Sequence, residues 1–308
     1  MSKNAIVFPG QASQNVGMGE NLYENSNQAK DIYDRAESYF DEFSITEVSF
    51  KGPLQKLTQT KVTQPAIFTN SYALFNEIEE DCNIQGMAGH SLGEYTALVA
   101  SGAISFEQGL EIVKIRAREM QKAAEQTSGS MAAIIGLKLE DIKAGLKDIG
   151  NFGICEIANH NSNKQIVISG ETPAVQKAMR KLKDAGARRA IELSVGGAFH
   201  SPLMEGARDI LEETLNEADI SQPDHPIYCN YTGTPTKDPE ELRNNLKKQL
   251  TSPVLWVDTI NNMIKDNFDN YIEVGPGKVL QGLIRRISRD VDIDGISKYK
   301  DLENFKCK

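Results

Sequence analysis

Gly89-His-Ser-Leu-Gly93 is the stretch whose residue types and spacing best suit covalent chemistry. G-x-S-x-G is the pattern of a nucleophile elbow: a strand ends in a sharp turn, a serine sits at the apex, and a helix starts at once. The flanks fit. Ile84 to Ala88 is a short, mostly apolar run, and Leu92, Tyr95, Leu98 and Val99 follow at helical spacing before Gly102. Such a turn exposes the Ser91 hydroxyl. It also aims the Leu92 N–H, at a helix N-terminus, toward an oxyanion formed beside that serine. The chemistry implied is acyl transfer or hydrolysis through a covalent serine intermediate.

A hydroxyl nucleophile needs a base, and in this kind of fold the base comes later in the chain. Of the four histidines, His90 adjoins Ser91 on the turn and cannot reach back to Oγ at a good angle. His160 belongs to a segment of different rhythm, and His225 lies in the rigid loop Pro223-Asp-His-Pro226. His200, in a glycine-entered loop before a helix, is the leading candidate; packing or capping is its other reading. A second oxyanion donor must come from a separate loop after a strand. The loop Pro9-Gly-Gln-Ala-Ser-Gln14 follows the apolar run Ala5 to Phe8, and the Gln11 N–H is a candidate. Arg116 and Arg118 ride on a helix that Ser105 can cap. Two residues put them about 200° apart, so at most one faces the site and the other is solvated.

The chain of 308 residues is long enough for one large domain or two. With 40% hydrophobic and 25% charged residues it has the composition of a soluble globular protein. A net charge of -9 and the lack of any Lys/Arg run argue against nucleic acid as a partner. No apolar stretch approaches the roughly 18 residues that span a bilayer, so no membrane partner is expected. The N-terminus reads as a first strand and not as a signal peptide, which implies a cytoplasmic protein. Cys82, Cys155, Cys229 and Cys307 are far apart with no C-x-x-C pair, and free thiols are expected. The histidines lack metal-ligand spacing, so neither a metal nor a cofactor is expected.

Strands and helices alternate along the chain, which predicts an α/β protein with a mostly parallel sheet covered on both faces. Helices are expected over 23–40, from Thr63, over 204–217, 240–250, 254–264 and 278–287, and strands over 226–231 and 271–274. Between residues 128 and 196 the order becomes β-α-β-β-α-β, that of a ferredoxin-like unit. The expected organisation is a large catalytic subdomain, 1–127 with 197–308, and an inserted small subdomain, 128–196.

Six separated motifs then carry a family resemblance: Pro9 to Gln14, Gly89 to Glu94, Arg116 before Met120-Gln121, Ala198 to Met204, Gln249 before Pro253-Val254, and Val274 to Gly277. Over essentially its whole length the chain resembles the malonyl-CoA:acyl-carrier-protein transacylases of bacterial type II fatty acid synthesis. The resemblance implies an α/β-hydrolase-like large subdomain, with Ser91 as nucleophile, His200 as base and no acid completing a triad. It implies an oxyanion hole of the Gln11 and Leu92 amides, and Arg116 as the group that binds the malonyl carboxylate. Gln249 would orient His200 through its backbone carbonyl. Malonyl-CoA and acyl carrier protein are the implied partners, with ping-pong kinetics. Phe199 beside His200 would crowd a 2-methyl branch.

Two places depart from the family pattern: Ala12 replaces a glycine, and Gly196 stands where serine is usual. Because carrier proteins are acidic, docking calls for a local basic patch. Lys181, Lys183, Arg188 and Arg189 form one candidate, and Arg285, Arg286 and Arg289 another. With no exposed apolar helix face in the pattern, a monomer is expected. Three rivals share some features. A serine esterase would need a His-Gly-Gly-Gly-type loop and a placed acid. An acyltransferase of a polyketide assembly line shares every motif. A scaffold with a degenerate site is disfavoured by the intact Ser91, His200 and Arg116.

Overall fold

The computed structural model describes residues 2–80, 82–303 and 305–307. Ten strands form two sheets: β1 (Asn4–Phe8), β2 (Ile84–Gly89), β3 (Gly129–Ile135), β4 (Cys155–Ser162), β5 (Gln165–Glu171), β6 (Arg189–Glu192), β7 (Ile227–Tyr228), β8 (Pro235–Thr236), β9 (Asn270–Val274) and β10 (Asp292–Ile296). The larger sheet has the order β10-β9-β1-β2-β7-β8. Its pairings are parallel except β7 with β8. Strand β1 shows why both faces are covered. Ile6 and Phe8 point to one core with the helices Thr60–Asn76, Leu92–Ala100 and Phe106–Gln126. Ala5 and Val7 point to another with the helices Trp256–Lys265 and Val279–Ile287. Alternation of period two in a strand buried on both sides gives a continuous apolar run.

The smaller sheet has the order β4-β5-β3-β6, with every pairing antiparallel. This is the β-α-β-β-α-β arrangement, with Leu139–Leu146 and Thr172–Asp184 as its helices. One face, carrying Ala132, Ile134, Ile166 and Ile168, packs on those helices. The opposite face presents Met131, Ala133 and Val167 toward the cleft between the sheets. The small sheet is tied to the segment before the helix Trp256–Lys265 by backbone bonds from His160 N to Val254 O and from Val254 N to Ala158 O, each 2.9 Å.

Several local readings need correction. The helix expected over 23–40 is two helices, Glu20–Asn25 and Asn27–Glu37. Ser26 between them is extended (φ -124°, ψ 123°), and its side chain accepts from Ala29 N as an N-cap. The helix expected from Thr63 begins at Thr60 and carries Pro65 inside it. The strand expected over 226–231 is only Ile227–Tyr228. Val254 is not helical: it bridges to Asn159, and its helix begins at Trp256. Cys82 and Cys307 are not free thiols but a disulfide that ties the C-terminal segment beside β2. Cys155 and Cys229 are free. Among the described residues no helix is long and apolar enough to cross a membrane.

Gly93, in the first turn of Leu92–Ala100, lies against the end of β1, where an added Cβ would sit 2.1 Å from the Phe8 carbonyl oxygen. Gly206, in the helix Glu205–Glu217, would gain a Cβ with nothing within 4 Å. Urea unfolding should therefore separate the two alanine variants. Gly93→Ala is expected to lose ~3 kcal/mol, and Gly206→Ala to gain about 0.5–1 kcal/mol.

Candidate active site

Strand β2 delivers Ser91, and the turn holds it at φ 53°, ψ -103°, outside the regions an L-residue favours. The turn closes because Gly89 has no side chain: a Cβ there would lie 1.9 Å from the Gly93 carbonyl carbon. Asn230, just after β7, clamps it. Its Oδ1 accepts from Ser91 N and its Nδ2 donates to Gly89 O, both at 2.6 Å.

Ser91 Oγ is 2.8 Å from His200 Nε2. His200 Nδ1 is 2.9 Å from the backbone carbonyl of Gln249. A carbonyl only accepts, so Nδ1 carries the proton and Nε2 presents its lone pair to the hydroxyl. Among the described residues no carboxylate is hydrogen-bonded to Nδ1. His200 has a left-handed backbone (φ 58°) and is 4% exposed. Burial, then the positive charge of Arg116, push its pKa down to about 3, and the Gln249 carbonyl opposes them. The imidazole is therefore neutral, the form that can accept a proton.

Of the two helix arginines, Arg116 faces this site and is fully buried. Arg118 is exposed and pairs with Glu119 at 2.9 Å. One Arg116 terminal nitrogen donates to Gln64 Oε1 at 2.6 Å, and the other to Ser91 Oγ and Gln249 Oε1, each at 3.0 Å. The guanidinium also lies 5.1 Å from the centre of the Tyr95 ring. These partners are all neutral, and Arg116 Nε is buried without a hydrogen-bond partner among the described residues. A buried cation so surrounded suits an incoming anion, and a carboxylate matches its fork.

The site opens into a cleft of about 240 Å³ between the two sheets. Gln11 and Leu92 line it beside Ser91, and Phe199 lines it beside His200. All six residues singled out by sequence thus meet at one place. Ala12 has φ 83°, so its position demands the left-handed conformation and the alanine costs about 1 kcal/mol there. Four site residues were not legible beforehand: Gln64, Asn230, Asn161 and Glu94. Asn161, on β4, accepts through Oδ1 from His90 Nε2 at 2.8 Å and so ties the elbow to the small sheet. Glu94 directly extends the elbow motif, which was its one available signal; nothing in the spacing marked the other three.

Both the fold and the site place the chain in a class. An acyl transferase domain model matches residues 5–300. Malonyl CoA-acyl carrier protein transacylase from Bacillus subtilis (strain 168) is 39% identical over 305 residues, covering 98% of this chain and 96% of that protein. The protein of the same name from Staphylococcus aureus (strain MRSA252) is 38% identical, with 99% of each chain covered. An acyl carrier protein S-malonyltransferase from Vibrio cholerae superposes with a TM-score of 0.94 at 37% identity, covering 98% of this chain and 99% of that one. A malonyl-transacylase solved in complex with a type II polyketide carrier protein also superposes at 0.94, with 34% identity and 98% of each chain covered. The chain is an acyltransferase, and it belongs to the malonyl CoA-acyl carrier protein transacylase family.

Burial of His200 has a consequence for stability. Below pH 6.5 an unfolded histidine takes a proton that folded His200 refuses until about pH 3. Its contribution is present above 6.5 and is lost as pH falls, by up to ~1.4 kcal/mol per unit. Glu94 acts in the opposite sense. Burial raises it from 4.5 to about 7, so its contribution is present below 4.5 and lost as pH rises through 7. His200→Gln lacks the first contribution and keeps the second. The stability of wild type minus that of His200→Gln, from urea melts, should be about 2 kcal/mol lower at pH 5 than at pH 7. An equal difference at both pH values would overturn the assignment.

Proposed function

We propose that this protein moves the malonyl group from malonyl-CoA to the phosphopantetheine thiol of acyl carrier protein through a malonyl-Ser91 ester. The product supplies fatty acid elongation in the cytoplasm. One observation carries the assignment of roles: the Ser91 hydroxyl is shared by a neutral imidazole at 2.8 Å and a buried guanidinium at 3.0 Å. His200 takes the hydroxyl proton as Oγ attacks the thioester carbonyl. The amides of Gln11 and Leu92 receive the oxyanion. The tetrahedral adduct collapses, coenzyme A leaves as its thiol with the proton from His200, and the ester remains. The carrier thiol then attacks this ester, His200 again serving as base, and Ser91 regains its proton. Arg116 holds the malonyl carboxylate in two parallel bonds. An acetyl group leaves that charge unpaired, which disfavours it. Gln249 keeps the imidazole in the reactive tautomer.

We assign residues 1–127 and 197–308 to the catalytic subdomain and 128–196 to the small one, with the reaction in the cleft between their sheets. The two basic patches considered for carrier docking are partly one surface. Arg188 and Arg189 face Arg285, Arg286 and Arg289 across a groove of about 810 Å³. Lys181 and Lys183 do not line it; they bind Asp148 Oδ2 at 2.8 Å and Arg188 O at 2.7 Å. The groove shares Gln165 with the reaction cleft, so an acidic carrier seated there has its thiol arm beside the entrance. A polyketide carrier is the second reading, because a relative of 34% identity was solved with one.

Intact-mass spectrometry after mixing with malonyl-CoA tests the chemistry. One malonyl adduct is expected on wild type and none on Ser91→Ala. Arg116→Ala should lose malonyl loading relative to acetyl. Free malonate without an adduct would make the protein a hydrolase. For docking, the double reversal Arg188→Glu with Arg285→Glu should raise the KM for carrier protein by about tenfold or more and leave loading from saturating malonyl-CoA intact. Unchanged carrier kinetics would remove the groove from consideration.

A further inference from the structure

Glu94 is 1% exposed, in the first turn of the helix that follows Ser91. It touches neither Ser91 Oγ nor the cleft, yet it binds both groups that organise the site. Its Oε2 accepts from Gln249 Nε2 at 2.6 Å. Both carboxylate oxygens accept from the backbone N–H of Asn230 at 3.3 Å, and Asn230 is the clamp on the elbow.

Gln249 is the more telling partner. Its Nε2 donates a second bond to Ser91 O at 2.9 Å. Its Oε1 accepts from Arg116 at 3.0 Å. An amide has one donor end and one acceptor end. In the observed sense the donor end meets two acceptors and the acceptor end meets a cation. Turned over, it would press NH2 against the guanidinium and its oxygen against the Glu94 and Ser91 oxygens. An ionised carboxylate has no proton to offer, so it admits only the first sense.

We propose that Glu94 is a positioning residue that fixes the sense of the Gln249 amide and thereby aims Arg116 at the acyl carboxylate. This rests on the roles given above to Ser91 and Arg116. Glu94 does not touch the reacting atoms and acts only through Gln249 and Asn230. The isosteric Glu94→Gln brings an NH2 to a place ringed by the Asn230 N–H and the Gln249 NH2. Its one neutral oxygen must then serve the donors that two charged oxygens served before, and the hold on the Gln249 amide weakens.

The effect should fall on malonyl more than on acetyl, because only malonyl uses the aimed guanidinium. It should also depend on pH. Burial raises Glu94 to about 7, opposed by Gln249, Asn230, Cys229 and Arg116. Other titratable groups near it lie elsewhere: His200 near 3, Tyr95 near 12, and Cys229 well above its ordinary range. Burial lowers Arg116 from the ordinary guanidinium range.

The test is single-turnover loading of Ser91 by malonyl-CoA and by acetyl-CoA from pH 5.5 to 8.5, read by intact mass. In wild type the malonyl-to-acetyl ratio should rise with pH through about 7, as Glu94 ionises. In Glu94→Gln the ratio should fall by about tenfold or more and lose that pH dependence. Gln249→Met keeps the backbone carbonyl for His200 and removes the amide, and should show the same flat, low ratio. It serves as the independent arm if Glu94→Gln does not fold. Malonyl and acetyl rates that fall equally, with the pH dependence retained, would overturn the proposal. Wild-type protein that takes no acyl group would overturn the functional reading and this inference together.

Discussion

A serine at φ 53°, ψ -103° is held where an L-residue does not rest by choice. Such a backbone costs on the order of 1–3 kcal/mol. The surrounding structure offsets that cost with bonds that exist only in the turned form. Asn230 spans the turn from Ser91 N to Gly89 O, and Gln249 reaches the Ser91 carbonyl. Gly89 and Gly93 let backbone approach backbone at distances a methyl would forbid. The parallel sheet is what supplies these pieces. β2 brings the serine, its neighbour β7 leads directly into Asn230, and β1 abuts the first turn of the following helix. The packing of the large sheet thus stabilises a half-buried, oriented hydroxyl.

Around that hydroxyl the protein buries a positive charge among neutral amides, a hydroxyl and a ring. Gln64 and Gln249 satisfy the guanidinium as dipoles without cancelling its charge. A carboxylate in their place would stabilise the empty site and compete with an anionic acyl group. In the proposed function specificity has a structural cost: the free protein keeps a buried cation whose counter-ion is to be the acyl carboxylate. Burial lowers the Arg116 pKa, opposed first by Tyr95 and then by the charge of Glu94.

The fold and the reacting pair were legible because they are written locally. An elbow needs glycines at fixed offsets, and only His200 of four histidines sat in a loop that could return to Ser91. The helix bearing Arg116 was legible from its spacing, but only the family resemblance chose Arg116 over Arg118: a helix stripe fixes relative angle, and the identity of the inner one depends on packing. Gln64, Asn161 and Asn230 carried no signal, since an amide that clamps a turn has the same letter as an amide in solvent. The Cys82–Cys307 disulfide spans 225 residues, beyond any spacing rule. β10 was missed because Asp292-Ile-Asp-Gly-Ile296 alternates charge with apolar residues and ends beside a glycine, as an exposed edge strand does. Helices broke where a single serine preferred to cap, at Ser26, which periodicity over a longer window averages away.

In the proposed reaction the same guanidinium links substrate choice to the chemical step. His200 is depressed first by burial and next by the charge of Arg116. A base held that low accepts a proton weakly, since proton transfer is most effective when the pKa of the base lies near the working pH. A carboxylate bound in the Arg116 fork places a negative charge beside that cation and opposes its effect on the imidazole. In the proposed reaction a malonyl group therefore does more than fit: by neutralising Arg116 it opposes one of the two causes that hold His200 low, at the moment Ser91 must lose its proton. An acetyl group leaves the imidazole depressed. Discrimination then acts on the rate of acylation as well as on binding, and it arises from one charge placed 3.0 Å from the nucleophile.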